Sequence, residues 1–317
     1  MNHVPTLLAV AVSASLLSAC GGGGSSAPPD TGGYVPPPTD DTIDTYTFER
    51  LAVPAAVVTE SESGVTNPSE SVAILDTGLE VSHQEFQGDN GVDKPILTGT
   101  EKNVTVIRCN ELSLGGCDDN ATDVTDETGH GTAVGSVVGG ATVGFSPNAQ
   151  LSVYDIDSGG DGTASAAVAA YAMGEAASDG ERILNLSFQF DPVVGRWLYE
   201  GTPEGGQIET FVNSGAVIAV AAGNSSENYS DYGLLTDGSH LWERDAEYPQ
   251  GMVDQVLVVG ALSGDMLASY SSYAGHNETV QSRFLVTQTN HEAAIAGDGT
   301  GYIGGTSIAT PVVSAAM

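Results

Sequence analysis

A chain of 317 residues with 8 Lys+Arg against 41 Asp+Glu carries a formal net charge of −33. Such a surface repels nucleic acid and bare anionic membrane, since both need Lys or Arg to displace counterions, and nucleic-acid partners are excluded. With 40% hydrophobic residues the chain can build a sizeable core, in one large domain or two small ones. The carboxylate excess reads first as a solvated acidic surface, and structural Ca²⁺ in oxygen-rich loops is a second use for it. Residue spacing alone names no metal ligands.

The first element in chain order is "TLLAVAVSASLLSAC", a short apolar run ending in small residues. It is too short and wrongly flanked for a spanning helix, so residues 1–19 are expected to be a signal peptide. Its end, Leu17-Ser18-Ala19-Cys20, resembles the bacterial lipobox. That resemblance implies lipid attachment at Cys20, export, and anchoring to the outer membrane or cell surface. The following "GGGGSSAPPDTGGYVPPPTDD" has no apolar periodicity, and residues 20–45 are expected to be a tether that buries too little surface to fold. The other cysteines, Cys109 and Cys117, flank "NELSLGG". In an exported protein that spacing suits a disulfide-closed loop.

From residue 46 to residue 317 the pattern is regular. "SVAIL" (71–75), "LSVYDI" (151–156), "RILNLSF" (182–188), "AVIAVAA" (216–222) and "QVLVVGA" (255–261) read as short buried strands. "GTAVGSVVGGA" (131–141), "TASAAVAAYAMGEAAS" (163–178) and "GGQIETFVNSG" (205–215) between them have helical spacing. Apolar strands alternating with helices predict an α/β, doubly wound, mostly parallel sheet with helices on both faces. In such sheets functional groups gather beyond the carboxyl ends of the strands.

Four residues stand at such ends. Asp76 follows "SVAIL" in a D-T-G string, with Gly78 allowing a sharp turn. Alone, an Asp there is often a turn former, although the string also resembles the D-T-G of aspartic peptidases, whose paired carboxylates share a proton, and "DSG" recurs at Asp157. His130 lies between two glycines at the start of a predicted helix. Asn224 follows a buried strand in Gly-Asn-Ser, as a local cap or as an amide donor to a developing oxyanion. Ser307 opens a helix after "GGT", with Pro311 expected near the first turn, where a missing N–H costs least.

Together, "ILDTG", "GHGTAVG", "AAGNSS" and "GTSIATP" resemble the subtilisin-like serine peptidases, in the order Asp, His, Ser. The resemblance runs from about Ser71 to Met317 and implies a serine endopeptidase acting on proteins or peptides, with no cofactor needed for the chemistry. It implies a triad of Ser307 as nucleophile, His130 as base and then acid, and Asp76 as its orienting partner. Asn224 and the Ser307 N–H would form the oxyanion hole. The dyad alternative leaves His130, Asn224 and Ser307 idle. A non-catalytic surface lipoprotein using the fold for binding is a further alternative, although it has no need of all four residues.

Departures from the family pattern are local. Ser187, Phe188 and Gln189 lie where relatives carry the substrate-binding edge, and Gln189 and Phe190 replace small residues. Gly135 takes a position that is usually alanine. Because Ser307 opens a helix that the family normally buries beneath further elements, the peptidase domain is expected to be C-terminally incomplete at Met317. An autotransporter barrel beyond it is one form the continuation takes in related lipoproteins.

Overall fold

The structure is a computed structural model that describes residues 16–19, 71–87, 104–109, 117, 125–157, 160–189, 203–229, 252–275 and 277–317. Strands are β1 (Leu16–Ala19), β2 (Ser71–Asp76), β3 (Val104–Arg108), β4 (Gln150–Asp155), β5 (Thr163–Ser165), β6 (Ile183–Leu186) and β7 (Phe188–Gln189). They continue with β8 (Val217–Ala221), β9 (Val256–Ser263), β10 (Met266–Leu267), β11 (Phe284–Gln288), β12 (His291–Ile295) and β13 (Gly299–Ile303). Helices are α1 (His130–Gly139), α2 (Ala166–Ser178), α3 (Pro203–Ser214), α4 (Glu278–Gln281) and α5 (Thr306–Ala316).

The main sheet has the order β10-β9-β8-β6-β2-β4-β3, with β11 also pairing β9. Every pairing in it is parallel except that of β10 with β9. Each predicted strand appears within a residue or two of its expected bounds. The reason is double-sided burial: Ala73 and Leu75 of β2 enter one apolar cluster while Val72 and Ile74 enter another. The first cluster holds residues of α2 and α3, the second residues of α1 and α5. Alternate side chains of one apolar run thus serve opposite faces, which demands the doubly wound arrangement.

Gly135 shows why one helix position departs from alanine. A Cβ there would lie 2.7 Å from Leu79 Cδ1 and 3.6 Å from both Ile74 Cδ1 and Phe86 Cζ. Leu79 already fills the space, so a Cβ at that point would require the Leu79 side chain to shift.

Two features differ from expectation. Residues 163–165 do not extend α2 but form β5, and Ser165 caps the helix by accepting from the Val168 N–H. Leu16–Ala19, expected to belong to a leader outside the domain, form a strand antiparallel to both β5 and β7. A short, uncharged, apolar segment that suits a leader also suits an open strand edge. The rest of the leader and tether, Cys20 included, lies outside the described residues, as does Phe190. Cys109 and Cys117 are joined by a disulfide.

Candidate active site

The DTG turn and the start of α1 are built on each other. Asp76 ends β2 fully buried, and Gly78, at φ +99°, turns the chain sharply. A Cβ on Gly131 would meet the Gly78 carbonyl oxygen at 2.2 Å and Asp76 Cβ at 3.2 Å. Glycine at 131 therefore lets the first turn of α1 close onto the Asp76 loop. The result is a bond of 2.6 Å between Asp76 Oδ1 and His130 Nδ1, reinforced at Oδ1 by the Thr77 N–H at 2.8 Å. A carboxylate at Nδ1 holds the proton on that nitrogen, leaving Nε2 as the acceptor. His130 Nε2 is buried and makes no hydrogen bond among the described residues.

Asp126, which the sequence reading passed over, organises this corner. Its Oδ1 accepts from the Thr77 hydroxyl at 2.8 Å and the Gly129 N–H at 2.8 Å. Its Oδ2 accepts from the Thr132 N–H at 2.7 Å and the Thr132 hydroxyl at 2.6 Å. The Thr77 hydroxyl in turn accepts from the Gly131 N–H at 2.9 Å. A carboxylate at a helix N-terminus satisfies donors that the helix leaves unpaired. The signal for it was "DETGHGT", an acidic residue a few positions before the helix start.

Burial is the largest single influence on the His130 pKa and pushes it down. The charge and hydrogen bond of Asp76, with the charge of Asp126, outweigh it, and the net pKa lies above the ordinary 6.5. A raised histidine pKa adds stability that is fully present below about pH 6.5 and is lost as pH rises through the folded value. A general base must be neutral, so the acid limb of kcat/KM is expected above about pH 6.5. Asp126→Asn removes one of the charges that raise it, and this limb should then move to lower pH. An unmoved limb in the kcat/KM profile would show that the Asp126 charge does not reach His130.

Asn224 follows β8, where its Oδ1 accepts from the Thr306 N–H at 2.9 Å and the Thr306 hydroxyl at 3.0 Å. A backbone N–H can only donate, so this atom is the oxygen, and the donor end of the amide is Nδ2. Ser307 is the second residue of α5 and is 1% exposed. Ser187 and Phe188 link it to the histidine. The Ser187 hydroxyl donates to the Ser307 carbonyl oxygen at 2.9 Å, and the Phe188 ring stands edge-on to the imidazole, centroids 5.9 Å apart. The side chain of Ser187 thus faces inward rather than into a cleft. Gln189 lies on β7, at the edge that pairs with β1.

The dyad alternative finds no support in this arrangement. Asp157 accepts from the Gly160 and Gly162 N–H groups at 3.0 and 2.8 Å, as a turn former does, while Asp76 is bonded to His130. Asp155 is the carboxylate beside Asp76 across the β2–β4 pairing. Burial pushes its pKa up to about 7, against the lowering influence of the Asp157 N–H and Arg108. Among the described residues no group of three or more His, Cys, Asp or Glu side chains is placed to hold a metal ion.

Residues 68–317 match the model of the Subtilase family. The chain belongs to that family. Among named relatives, subtilisin-like protease 1 of Pseudogymnoascus destructans is 27% identical over 254 residues, covering 79% of this chain and 51% of that protein. The extracellular serine proteinase of Thermus sp. (strain Rt41A) is 27% identical over 246 residues, covering 77% and 48%. The chain spans about half the length of the curated relatives it matches. A cold adapted subtilisin-like serine proteinase shares the fold with TM-score 0.52 at 21% identity, covering 77% of this chain and 72% of that one. The prenylagaramide maturation protease PagA shares it with TM-score 0.55 at 18% identity, covering 81% and 77%.

Proposed function

We propose that this subtilase domain is a serine endopeptidase with Asp76, His130 and Ser307 as its triad. The observation that carries the proposal is His130, its Nδ1 held by buried Asp76 at 2.6 Å and its Nε2 buried without a hydrogen-bond partner among the described residues. Ser307 Oγ attacks the scissile carbonyl as its proton passes to Nε2. The tetrahedral oxyanion is met by Asn224 Nδ2 and by the Ser307 N–H in the positive first turn of α5. On collapse the amine leaves with the proton from Nε2, and water then repeats the sequence to release the acyl group. Asp76 holds the imidazole in place and stabilises the imidazolium.

Peptides are the substrates that suit the edges of β5 and β7. One extended chain, β1, pairs antiparallel with both, and strand addition of this kind binds through main-chain bonds. Cleavage before Cys20 separates β1 from the domain and leaves these edges open to another peptide. The experiment is hydrolysis of a denatured protein by the full chain. Inhibition by a sulfonyl fluoride and indifference to pepstatin are expected, and the reverse pattern would return the assignment to an aspartic mechanism.

Export and a lipid anchor at Cys20 are part of the same proposal, supported by the lipobox-like end of the leader and, for export, by the relative named as extracellular. Among the described residues no helix is long and apolar enough to cross a membrane. Cys20→Ala should move the protein out of the membrane fraction. Mass spectrometry of the mature N-terminus should find a lipidated Cys20, and an unmodified residue other than Cys20 would remove the anchor from the account.

A further inference from the structure

Pro311 is not in the first turn of α5, as the sequence led us to expect, but six residues in. A proline there has no N–H for the carbonyl four residues earlier, and that carbonyl belongs to Ser307. The acceptor is not left to the helix. The Ser187 hydroxyl donates to it at 2.9 Å from the segment between β6 and β7. Ser187 Oγ in turn accepts from Asn185 Nδ2 at 3.0 Å, and Asn185 Oδ1 accepts from the Ser314 hydroxyl at 2.9 Å. All four residues are at most 1% exposed. Donors run one way along the chain, Ser314 to Asn185 to Ser187 to Ser307, and the Thr310 carbonyl oxygen, at 3.4 Å, is a second and longer acceptor for the Ser314 hydroxyl. The chain leaves α5 at Ser314 and returns to it at Ser307, two turns away on the same face.

We propose that Ser187, backed by Asn185 and Ser314, is a positioning residue for the nucleophile: its hydroxyl replaces the helical N–H that Pro311 lacks and fixes the backbone of Ser307. The proposal rests on the serine-peptidase reading, in which Ser307 carries the reacting oxygen. It gives Ser187 a role in the chemistry apart from the substrate-binding edge on which the sequence placed it. The first turn of α5 has one fewer internal bond than an uninterrupted helix, so its hold on Ser307 depends on this outside donor. Leaving a buried acceptor without its donor is costly, and small displacements of reacting groups are strongly felt in rate.

The test is a cycle on the full chain. Ser187→Ala should lower kcat by about 10- to 100-fold with KM little changed, because only the reacting geometry is disturbed. It should slow labelling of Ser307 by a phosphonate in proportion. Adding Pro311→Ala to Ser187→Ala supplies an N–H to the same carbonyl and should recover most of the lost kcat. A double variant no faster than the product of the single effects would overturn the proposal, as would an unchanged kcat in Ser187→Ala. If Ser187→Ala does not fold, Ser187→Thr and Ser187→Val give a pair of equal shape. The threonine should be the faster by a similar factor, and equal rates would overturn the proposal. Failure of the underlying reading looks different, since the unmodified chain would then hydrolyse no peptide bond and take up no phosphonate.

Discussion

Ser307→Ala is expected to lower kcat by about 10⁶-fold, a size known for subtilisin, the family's type enzyme, and carried over from it. The physical ground is that in the proposed triad the three groups act as one unit. Asp76 orients the imidazole through a 2.6 Å bond, and Nε2 has no other hydrogen-bonding role among the described residues. Without the serine hydroxyl there is no proton for that nitrogen to take and no acyl-enzyme. The consequence is strong non-additivity: His130→Ala added to Ser307→Ala should lower the rate little further. Single-turnover assays of the three variants check this. Losses that multiply would mean that the two residues work independently.

The second large effect is at Asn224, where Asn224→Ala is expected to lower kcat by about 10²–10³-fold with a much smaller change in KM. That range, too, is known from subtilisin. What this structure adds is a way of separating donor from brace. Asn224 Oδ1 holds Thr306, the residue before Ser307, through both its N–H and its hydroxyl. The alanine variant therefore loses the brace together with the donor. Asn224→Asp keeps an oxygen for Thr306 but loses the Nδ2 hydrogens, and its charge opposes an oxyanion. It should keep the melting temperature closer to that of the unmodified protein while losing at least as much kcat as alanine. Near-normal kcat in Asn224→Asp, with a loss confined to alanine, would make Asn224 a brace for α5 and nothing more.

Much of this was legible in the sequence for a specific reason. The parallel strands are buried on both faces, so "SVAIL" and "AVIAVAA" are continuous apolar runs that stand out from their surroundings. Asp76, His130, Asn224 and Ser307 each sit at an element boundary, where a nearby glycine marks the turn. Asp126 was less visible, because its function is to gather hydrogen-bond donors from Thr77, Gly129 and Thr132, and only the fold brings the first of these to it. Ser187 reads from the sequence as part of the substrate-binding edge, and the pattern does not say which neighbour its hydroxyl meets. Pro311 lies beyond the first turn although the helix starts within one residue of its expected position, because the sequence pattern does not show what replaces the N–H that a proline lacks. The proline is tolerated inside α5 because a hydroxyl from another element supplies what the backbone cannot.

In the proposed mechanism Ser307 is a nucleophile activated by His130. The most direct measurement is to treat the full chain with a biotinylated phosphonate and map the adduct by peptide mass spectrometry across pH. A single adduct is expected, on Ser307, and its rate of formation should rise through a pKa above about 6.5 and collapse in His130→Ala. An adduct on another residue, or hydrolysis that persists with no adduct at all, would contradict it.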